Sequence, residues 1–405
     1  MSGMRPFGTT IPLDQARAIV DARCQPITRI ELIPLHEANG RVLAGDVTAS
    51  IDVPPFDRAA MDGYAVRAAD TTGASRDEPR VLRCIDRVFT GQIPGRAVTA
   101  GQCIEVATGA PMPDGSNAVV MVEETERAGS DQIRIFSPVS DSQHVGRRGS
   151  DVTVGQAMLR DGEWLNPSRI GALAALGAAE ASVYSKPRVA ILSTGNEITD
   201  PGRPLEPGHI YDINRFTLMA TVAEHGGFPE PHRTAADSIE DLSDAFEECL
   251  DADVVVFSGG SSVGERDLLI DVLAEKGHVL FHGISVKPGK PTAFGLVGDT
   301  LVFGMPGYPT SCLSNAYILL VPALRRIARL PPHRGRSITV PLGRRVVSAP
   351  GRHQFYTVRI IDDVAIPAFK ASGDITSMSQ ADGYIEIPAD VDAVAEGEMV
   401  DVTLF

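Results

Sequence analysis

Cysteine is scarce and scattered in this chain: Cys24, Cys84, Cys103, Cys249 and Cys312 are the five among 405 residues, with no Cys-x-x-Cys pair. An odd number without metal-ligand spacing points to neither a zinc site nor a disulfide framework, and buried thiols in a reducing compartment are the expectation. Positive charge is also short. Lys plus Arg come to 37 against 52 Asp plus Glu, a net charge of −15. An acidic field of that kind argues against nucleic acid or an anionic membrane as partner, so any anionic ligand has to be caught by local positive charge. Long apolar runs are missing too. Residues 1–19 hold no signal-like apolar core, and the most apolar stretch, 316–324, is short and broken by Pro322. The expectation is a soluble, cytoplasmic chain with no membrane partner. No internal repeat or low-complexity tract stands out.

What is present, 43% hydrophobic residues, suffices for two to four domains with cores of their own. Residues 14–24 carry apolar side chains at helical spacing, and 167–177 has the leading proline and closing glycine of a short helix. Segments 8–47 and 150–185 therefore read as one helical N-terminal domain. Between them, 48–149 is rich in Val, Thr, Pro and Gly with short alternating runs, an inserted β-domain. Residues 186–330 alternate strand and helix: strands at 188–192, 228–234 and 253–258, helices at 213–225, 239–250 and 267–276, and a closing helix at about 311–329. That alternation predicts a doubly wound α/β domain. Beyond Pro331-Pro332, short strands at 337–342, 355–361, 384–387 and 399–404 predict a small C-terminal β-barrel or sandwich over 331–405. The fold class is multidomain α/β.

Two segments of the α/β pattern suit oxyanions. Val254 to Phe257 reads as a buried parallel strand, and the Gly259-Gly260 doublet after it permits the positive φ that lets backbone N–H groups converge on an anion. A helix beginning near Asp267 would add its free N–H groups and dipole. The second segment is Lys287-Pro288-Gly289-Lys290-Pro291. Proline at the second position and glycine at the third predict a type II turn, with Lys287 and Lys290 at its two ends. Ammonium groups about 4 Å apart repel by roughly 4 kcal/mol at an effective dielectric of 20, which a bound anion would relieve. A solvated surface turn has the same spelling.

Ligands of doubly wound sheets sit at the carboxyl ends of the strands. Loops there carry Ser193-Thr194-Gly195-Asn196-Glu197, Gly259 to Asp267 and Gly307 to Ser311. Glu197, Asp237 and Asp267 fall at such loop ends, placed to bind a divalent metal or a polar heterocycle, although an Asp or Ser at a helix start also serves as a cap. In the β-domain, Asp62 precedes a glycine in an expected tight turn, and Ala107-Thr108-Gly109-Ala110-Pro111 is another dense turn.

The ordered set Pro54-Pro55-Phe56-Asp57-x-x-Ala60-Met61-Asp62-Gly63-Tyr64-Ala65, Thr108-Gly109-Ala110-Pro111-x-Pro113, Gly149-x-Asp151-Val152, Ser193-Thr194-Gly195-Asn196-Glu197, Ser258-Gly259-Gly260-x-Ser262-x-Gly264-x-x-Asp267 and Lys287-Pro288-Gly289-Lys290-Pro291 resembles the molybdopterin molybdenumtransferases, the MoeA and gephyrin E-domain family. The resemblance runs from about Ile11 to the C-terminus. It implies a homodimer of four-domain subunits whose α/β domain binds molybdopterin. The implied reaction inserts molybdate into adenylylated molybdopterin, releases AMP, forms molybdenum cofactor and requires Mg2+. A separate molybdopterin adenylyltransferase and downstream molybdoenzymes are the implied partners.

Carried over residue by residue, the resemblance assigns molybdate binding to Lys287, Lys290, Ser311, Arg352 and Ser372. Phosphate and pterin binding fall to Gly259, Gly260, Ser262 and Gly264, with Asp267 as metal ligand. Glu197 and Asp237 match carboxylates of the pterin and nucleotide pocket, and Asp62, Thr108 and Asp151 match functional positions of the N-terminal half. The chain departs from the family where Gly307-Tyr308-Pro309-Thr310-Ser311 replaces the usual Gly-Asn-Pro-Val-Ser, and where Ser261 replaces a usual Val. A non-catalytic molybdopterin-binding or scaffolding paralogue is one alternative. A serine hydrolase is the other, since Gly260-Ser261-Ser262-Val263-Gly264 spells a nucleophile elbow. Against it, no oxyanion loop precedes the elbow, and His278, His282, His333 and His353 have no motif around them.

Overall fold

A computed structural model describes residues 9–259, 268–333 and 335–405. The chain divides into two compact units: residues 32–39 with 43–182 form the smaller, and most of the remainder forms the larger. This departs from the expected domain plan. Helix α1 (Leu13–Asp21) buries Leu13, Ala16 and Val20 in one core with Val189, Ile191 and Val254 of the α/β region. Its amphipathic stripe needs an apolar partner, and the strand-rich sequence around it supplies none, so it packs into the larger unit. The helix α2 (Pro167–Ala175) is as expected: Asn166 Oδ1 accepts from Arg169 N at 3.0 Å, Pro167 opens it, and Gly177 takes φ +81° beyond it.

In the smaller unit the inserted region forms a six-stranded sheet. Its strands are β1 (Gly63–Val66), β2 (Arg80–Val88), β3 (Gln102–Val106), β4 (Ala118–Met121), β5 (Thr125–Arg127) and β6 (Gln132–Ile135), in spatial order β4-β1-β3-β2-β6-β5. β1 is buried along its length because its neighbours approach backbone to backbone. A Cβ on Gly63 would stand 1.9 Å from the Val120 carbonyl oxygen. β2 and β3 run parallel, with Cys84 opposite Cys103. Hydrogen bonding to Cys103 and to nearby backbone groups pulls the Cys84 thiol down to about 6.

The larger unit is built on β7 (Arg188–Ser193), β8 (Phe228–Pro231), β9 (Val254–Ser258), β10 (His278–His282), β11 (Ala293–Val297) and β12 (Thr300–Met305), ordered β8-β7-β9-β12-β11-β10. The first four in that order are mutually parallel, and β11 pairs antiparallel with both β12 and β10. Helices α3 (Asn214–Glu224), α4 (Ile239–Glu247) and α5 (Leu268–Lys276) follow β7, β8 and β9. All five residues of β9 are buried, as a central strand covered on both faces requires. The closing helix α6 (Pro309–Asn315) starts two residues earlier than expected, because Pro309 can occupy the first helical turn without losing a hydrogen bond. Behind it, Tyr317 edges against the buried His225, whose neighbour His333 has its ring centroid 4.9 Å away. Burial first, and His333 second, press the His225 pKa down to about 4.

The C-terminal strands order as Val364–Pro367, His353–Ile361, Gly383–Ile387, Met399–Leu404 and Ser337–Pro341. A bridge from Leu342 to Ala365, with Gly343 N donating to Ala365 O at 2.9 Å, joins the last to the first. The sheet thereby closes into the expected barrel around Val340, Val358, Ala365, Ile385 and Val402.

Candidate functional site

The lysine segment departs from the expected turn. The Lys287-Pro288 bond is cis and residues 288–289 form no hydrogen-bonded turn, although Gly289 takes the expected positive φ, +100°. The contacts that hold the segment are explicit. Val286 and Lys287 pair in parallel with His353 and Gln354 of the barrel, and Ile284 N donates to Lys290 O at 3.0 Å. The Gly289 carbonyl accepts from Thr292 Oγ1 at 2.8 Å and from Asn315 Nδ2, in α6, at 3.1 Å. No side chain fits at 289, since a Cβ there would lie 1.7 Å from Asn315 Nδ2.

These bonds bring the expected anion-binding residues onto neighbouring segments of one unit. Arg352 is exposed and directly precedes the strand that pairs with Lys287. Ser311 is 3% exposed in the first turn of α6. Its neighbour Thr310 donates from its backbone N to Ser372 O at 3.2 Å and from its hydroxyl to Asp374 O at 3.0 Å. Tyr308 is 67% exposed beside that barrel loop, where a Cβ on Gly373 would stand 3.6 Å from its ring.

At the carboxyl end of the parallel strands, Gly259 takes φ +106°, and a Cβ on it would be 2.4 Å from the Thr194 carbonyl. Gly260, Ser262, Gly264 and Asp267 lie outside the described residues, as does Ser261 and hence the nucleophile-elbow spelling. Glu197 and Asp237 are exposed on adjoining loops tied reciprocally to each other: Asn196 N donates to Asp237 Oδ2 at 3.3 Å, and Asp237 N to Asn196 Oδ1 at 3.1 Å. Among the described residues no group of three or more His, Cys, Asp or Glu is arranged to hold a metal. One residue that sequence reasoning missed stands here. Asn214, first in α3, donates through Nδ2 to Gly307 O at 2.8 Å, and its only sequence signal is its place at the start of the expected helix. Thr194, in the loop already singled out after β7, turns its hydroxyl toward Gly259.

In the smaller unit, Asp62 and Thr108 meet. Asp62 Oδ1 accepts from Thr108 N at 2.6 Å and from its hydroxyl at 2.9 Å. Those two bonds, the backbone one first, hold the Asp62 carboxyl below the ordinary carboxylate range. A cleft of about 200 Å3 opens beside them, with Tyr64, Arg87, Phe89 and Glu105 in its walls. Glu105 Oε2 accepts from both Arg87 and Arg127 at 2.8 Å. Asp151 is exposed, its backbone N donating to Val53 O at 3.0 Å. No described contact joins it to Asp62.

Family models match across nearly the whole chain: the MoeA N-terminal region (domain I and II) over residues 11–177, a probable molybdopterin binding domain over 190–326, and the MoeA C-terminal region (domain IV) over 339–405. Among curated proteins, molybdopterin molybdenumtransferase 2 of Mycobacterium tuberculosis is 35% identical over 394 residues, covering 94% of this chain and 95% of its own length. The molybdopterin molybdenumtransferase of Haemophilus influenzae is 32% identical over 410 residues, covering 98% of both. Among solved structures, the molybdopterin biosynthesis moea protein from Pyrococcus horikosii superposes with a TM-score of 0.84 at 40% identity, over 98% of this chain and 99% of that one.

Proposed function

This chain belongs to the MoeA family of molybdopterin molybdenumtransferases, and from that premise we propose that its larger unit transfers molybdenum from molybdate to adenylylated molybdopterin, with release of AMP. It is a transferase of molybdenum cofactor biosynthesis. The observation that carries the site assignment is the joining of the lysine segment, α6 and the barrel loop through the bonds at Gly289 and Thr310. Lys287, Lys290 and Arg352 supply positive charge to the molybdate substrate, and Ser311 and Ser372 supply hydroxyl donors beside it. In an acidic chain such a local cluster is what retains a dianion. Gly259, whose missing side chain lets the Thr194 carbonyl pack against it, begins the loop that would hold the phosphates, while Glu197 and Asp237 face the polar parts of the substrate. No covalent protein intermediate is needed: the charged groups hold the oxyanion in place while the phosphate bond is cleaved.

Magnesium suits the exposed oxygen donors of Glu197 and Asp237, since it takes one or two carboxylates and completes its shell with water and phosphate oxygens. When bound, it neutralises charge on the pyrophosphate. Asp62 and Thr108 form a second polar cluster serving the same reaction, and Asp151 is a further functional position of that half. A homodimer in the cytoplasm, supplied by a separate adenylyltransferase and delivering to molybdoenzymes, completes the reading. No helix among the described residues is long and apolar enough to cross a membrane. Neither the scaffolding nor the hydrolase alternative gains support from the relatives. The test is AMP release from adenylylated molybdopterin on adding molybdate. Molybdate-dependent release is expected, and a purified, folded protein that releases none overturns the reading.

A further inference from the structure

The smaller unit holds two thiols that the molybdenum chemistry leaves unused. Cys84 of β2 and Cys103 of β3 stand directly opposite each other in the parallel pair, and both turn toward one apolar cluster around Tyr64, Leu82 and Ile133. Neighbouring strands lie about 4.7–4.9 Å apart, inside the span of about 4.4–6.8 Å between Cα atoms that a disulfide bridges. The sulfurs already meet, the Cys103 thiol donating a hydrogen bond to the Cys84 sulfur. Neither residue lines the cleft beside Asp62.

Their surroundings give the two thiols different roles. Cys103 lies in a strand paired on both sides, by β1 and β2, and is 0% exposed. Beside Cys84 the ladder gives out: β6 begins only at Gln132, opposite Arg83, and a bulge between Cys84 and Asp86 shifts the register against β3. Cys84 is accordingly partly exposed. Bulges release backbone groups from the ladder and re-aim them. Here the N–H groups of Glu105 and Asp86 turn to the Cys84 sulfur, and the Arg127 guanidinium adds positive charge. The same bend leaves Asp86 O 3.4 Å from the sulfur, an acceptor for the protonated thiol. A thiolate held by donors, reachable from solvent and touching a second thiol is the arrangement that oxidants select.

The other three cysteines lack these features. All are buried, Cys24 and Cys249 donate to the helix carbonyls Val20 O and Ala245 O, each at 3.2 Å, and burial pushes the thiols of Cys24, Cys249 and Cys312 up.

We propose that Cys84 and Cys103 form a site of reversible oxidation by hydroperoxides, in which Cys84 reacts first and Cys103 resolves the product into a disulfide. The Cys84 thiolate attacks a peroxide oxygen, and an S–O bond forms as the O–O bond breaks. The departing oxygen takes a proton from solvent and leaves as water, or as an alcohol from an organic hydroperoxide. The Cys103 sulfur then attacks the Cys84 sulfur, the S–O bond breaks, and the hydroxide leaves with the Cys103 proton as water. Two electrons pass from the sulfur pair to the peroxide, and a dithiol reductant returns them. Nothing in this chemistry rests on the transferase reading.

The experiment uses the full chain, reduced, with its Cys84→Ala and Cys103→Ala variants. Each is treated with hydrogen peroxide in the presence of dimedone, which traps sulfenic acid, and the peptides are mapped by mass spectrometry. The parent should yield a linked Cys84–Cys103 peptide pair, lighter by two hydrogens and restored by dithiothreitol, while Cys24, Cys249 and Cys312 stay reduced. Cys103→Ala should accumulate the dimedone adduct at Cys84 about tenfold above the parent, because the intramolecular nucleophile is gone. Cys84→Ala should give neither product. Iodoacetamide alkylation of the parent needs no variant: the hydrogen bond from Cys103 first, and the backbone donors after it, lower the Cys84 thiol, so its rate should reach half its plateau at lower pH than an ordinary thiol. A folded parent that forms no such link, or links Cys84 only between chains, overturns the proposal. Equal dimedone adduct in the parent and Cys103→Ala removes the resolving role, and an alkylation midpoint at or above that of a free thiol removes the priority of Cys84. Should Cys103→Ala fail to fold, the link and the midpoint in the parent decide.

Discussion

Asp62 in the smaller unit and Asn214 in the larger differ in how their side-chain oxygens are met: the first accepts two hydrogen bonds from Thr108 and the second, among the described residues, accepts none. The exposed carboxylate can rely on water, and its local bonds serve only to aim it and keep it ionised. The buried amide oxygen has no such recourse. One cluster is satisfied by its own hydrogen bonds, whereas the other carries the cost of a buried acceptor without a donor. Substrate binding, which the proposed function assigns to the larger unit, should stabilise that unit and leave the smaller almost unaffected.

Glycine substitutions probe that contrast most strongly. Gly289→Ala combines a strained φ of +100° with overlap on Asn315, and should cost roughly 2–5 kcal/mol in chemical denaturation. Gly91→Ala in the smaller unit shares a positive φ, +80°, with open space around it, and should cost about 1 kcal/mol. Equal losses would mean that the lysine segment is no tighter than a surface turn. Next comes ligand protection. At 100 times its dissociation constant, AMP should raise the stability of α3 and β9 amides by about 2.7 kcal/mol in hydrogen exchange. Amides of β1 and β3 should stay as they were, and uniform protection would erase the distinction drawn here.

Lys287→Ala and Lys290→Ala should each raise molybdate half-saturation about 10- to 100-fold, the range of a charge-assisted hydrogen bond, while AMP affinity holds. Unchanged molybdate dependence in both variants would remove the oxyanion role. The smallest effect is expected at Thr108→Val. The native Asp62 carboxyl is depressed, so it keeps its charge to lower pH than an ordinary carboxylate. Losing the hydroxyl bond removes one of the two causes and moves the acid limb of activity to higher pH. A pH–rate profile that does not move would show the backbone bond to be sufficient.

Apolar runs carried most of the legible fold. The expected strand at 188–192 is β7, the helix at 213–225 is α3, and the expected strand at 399–404 matches the observed Met399–Leu404. Local periodicity decides such elements, because each buries one face or is wholly covered. Where partners are distant in sequence, the reading weakened. Helix α1 looked like part of its own N-terminal domain, but its apolar stripe is completed by residues near 189 and 254. Strands β10, β11 and β12 were not among those expected, and short apolar runs between glycines reveal neither such strands nor their direction. At the site, the motif resemblance named Asp62, Thr108, Lys287, Ser311 and Ser372 individually, but not the bonds that join their segments. Asn214 was not named, because its bond to the Gly307 carbonyl leaves no mark in composition or spacing.

Gly289 and Asn315 also constrain the order in which this sequence can change. Because a single methyl at 289 would overlap Asn315 Nδ2, the two positions are not independently variable. Shrinking Asn315 first gives up its bond to the Gly289 carbonyl but opens room, after which residue 289 has only its backbone angle to satisfy. Taken in the reverse order, the first step meets both obstacles together. Substitutions at this pair should therefore be strongly non-additive, with the accessible route running through position 315.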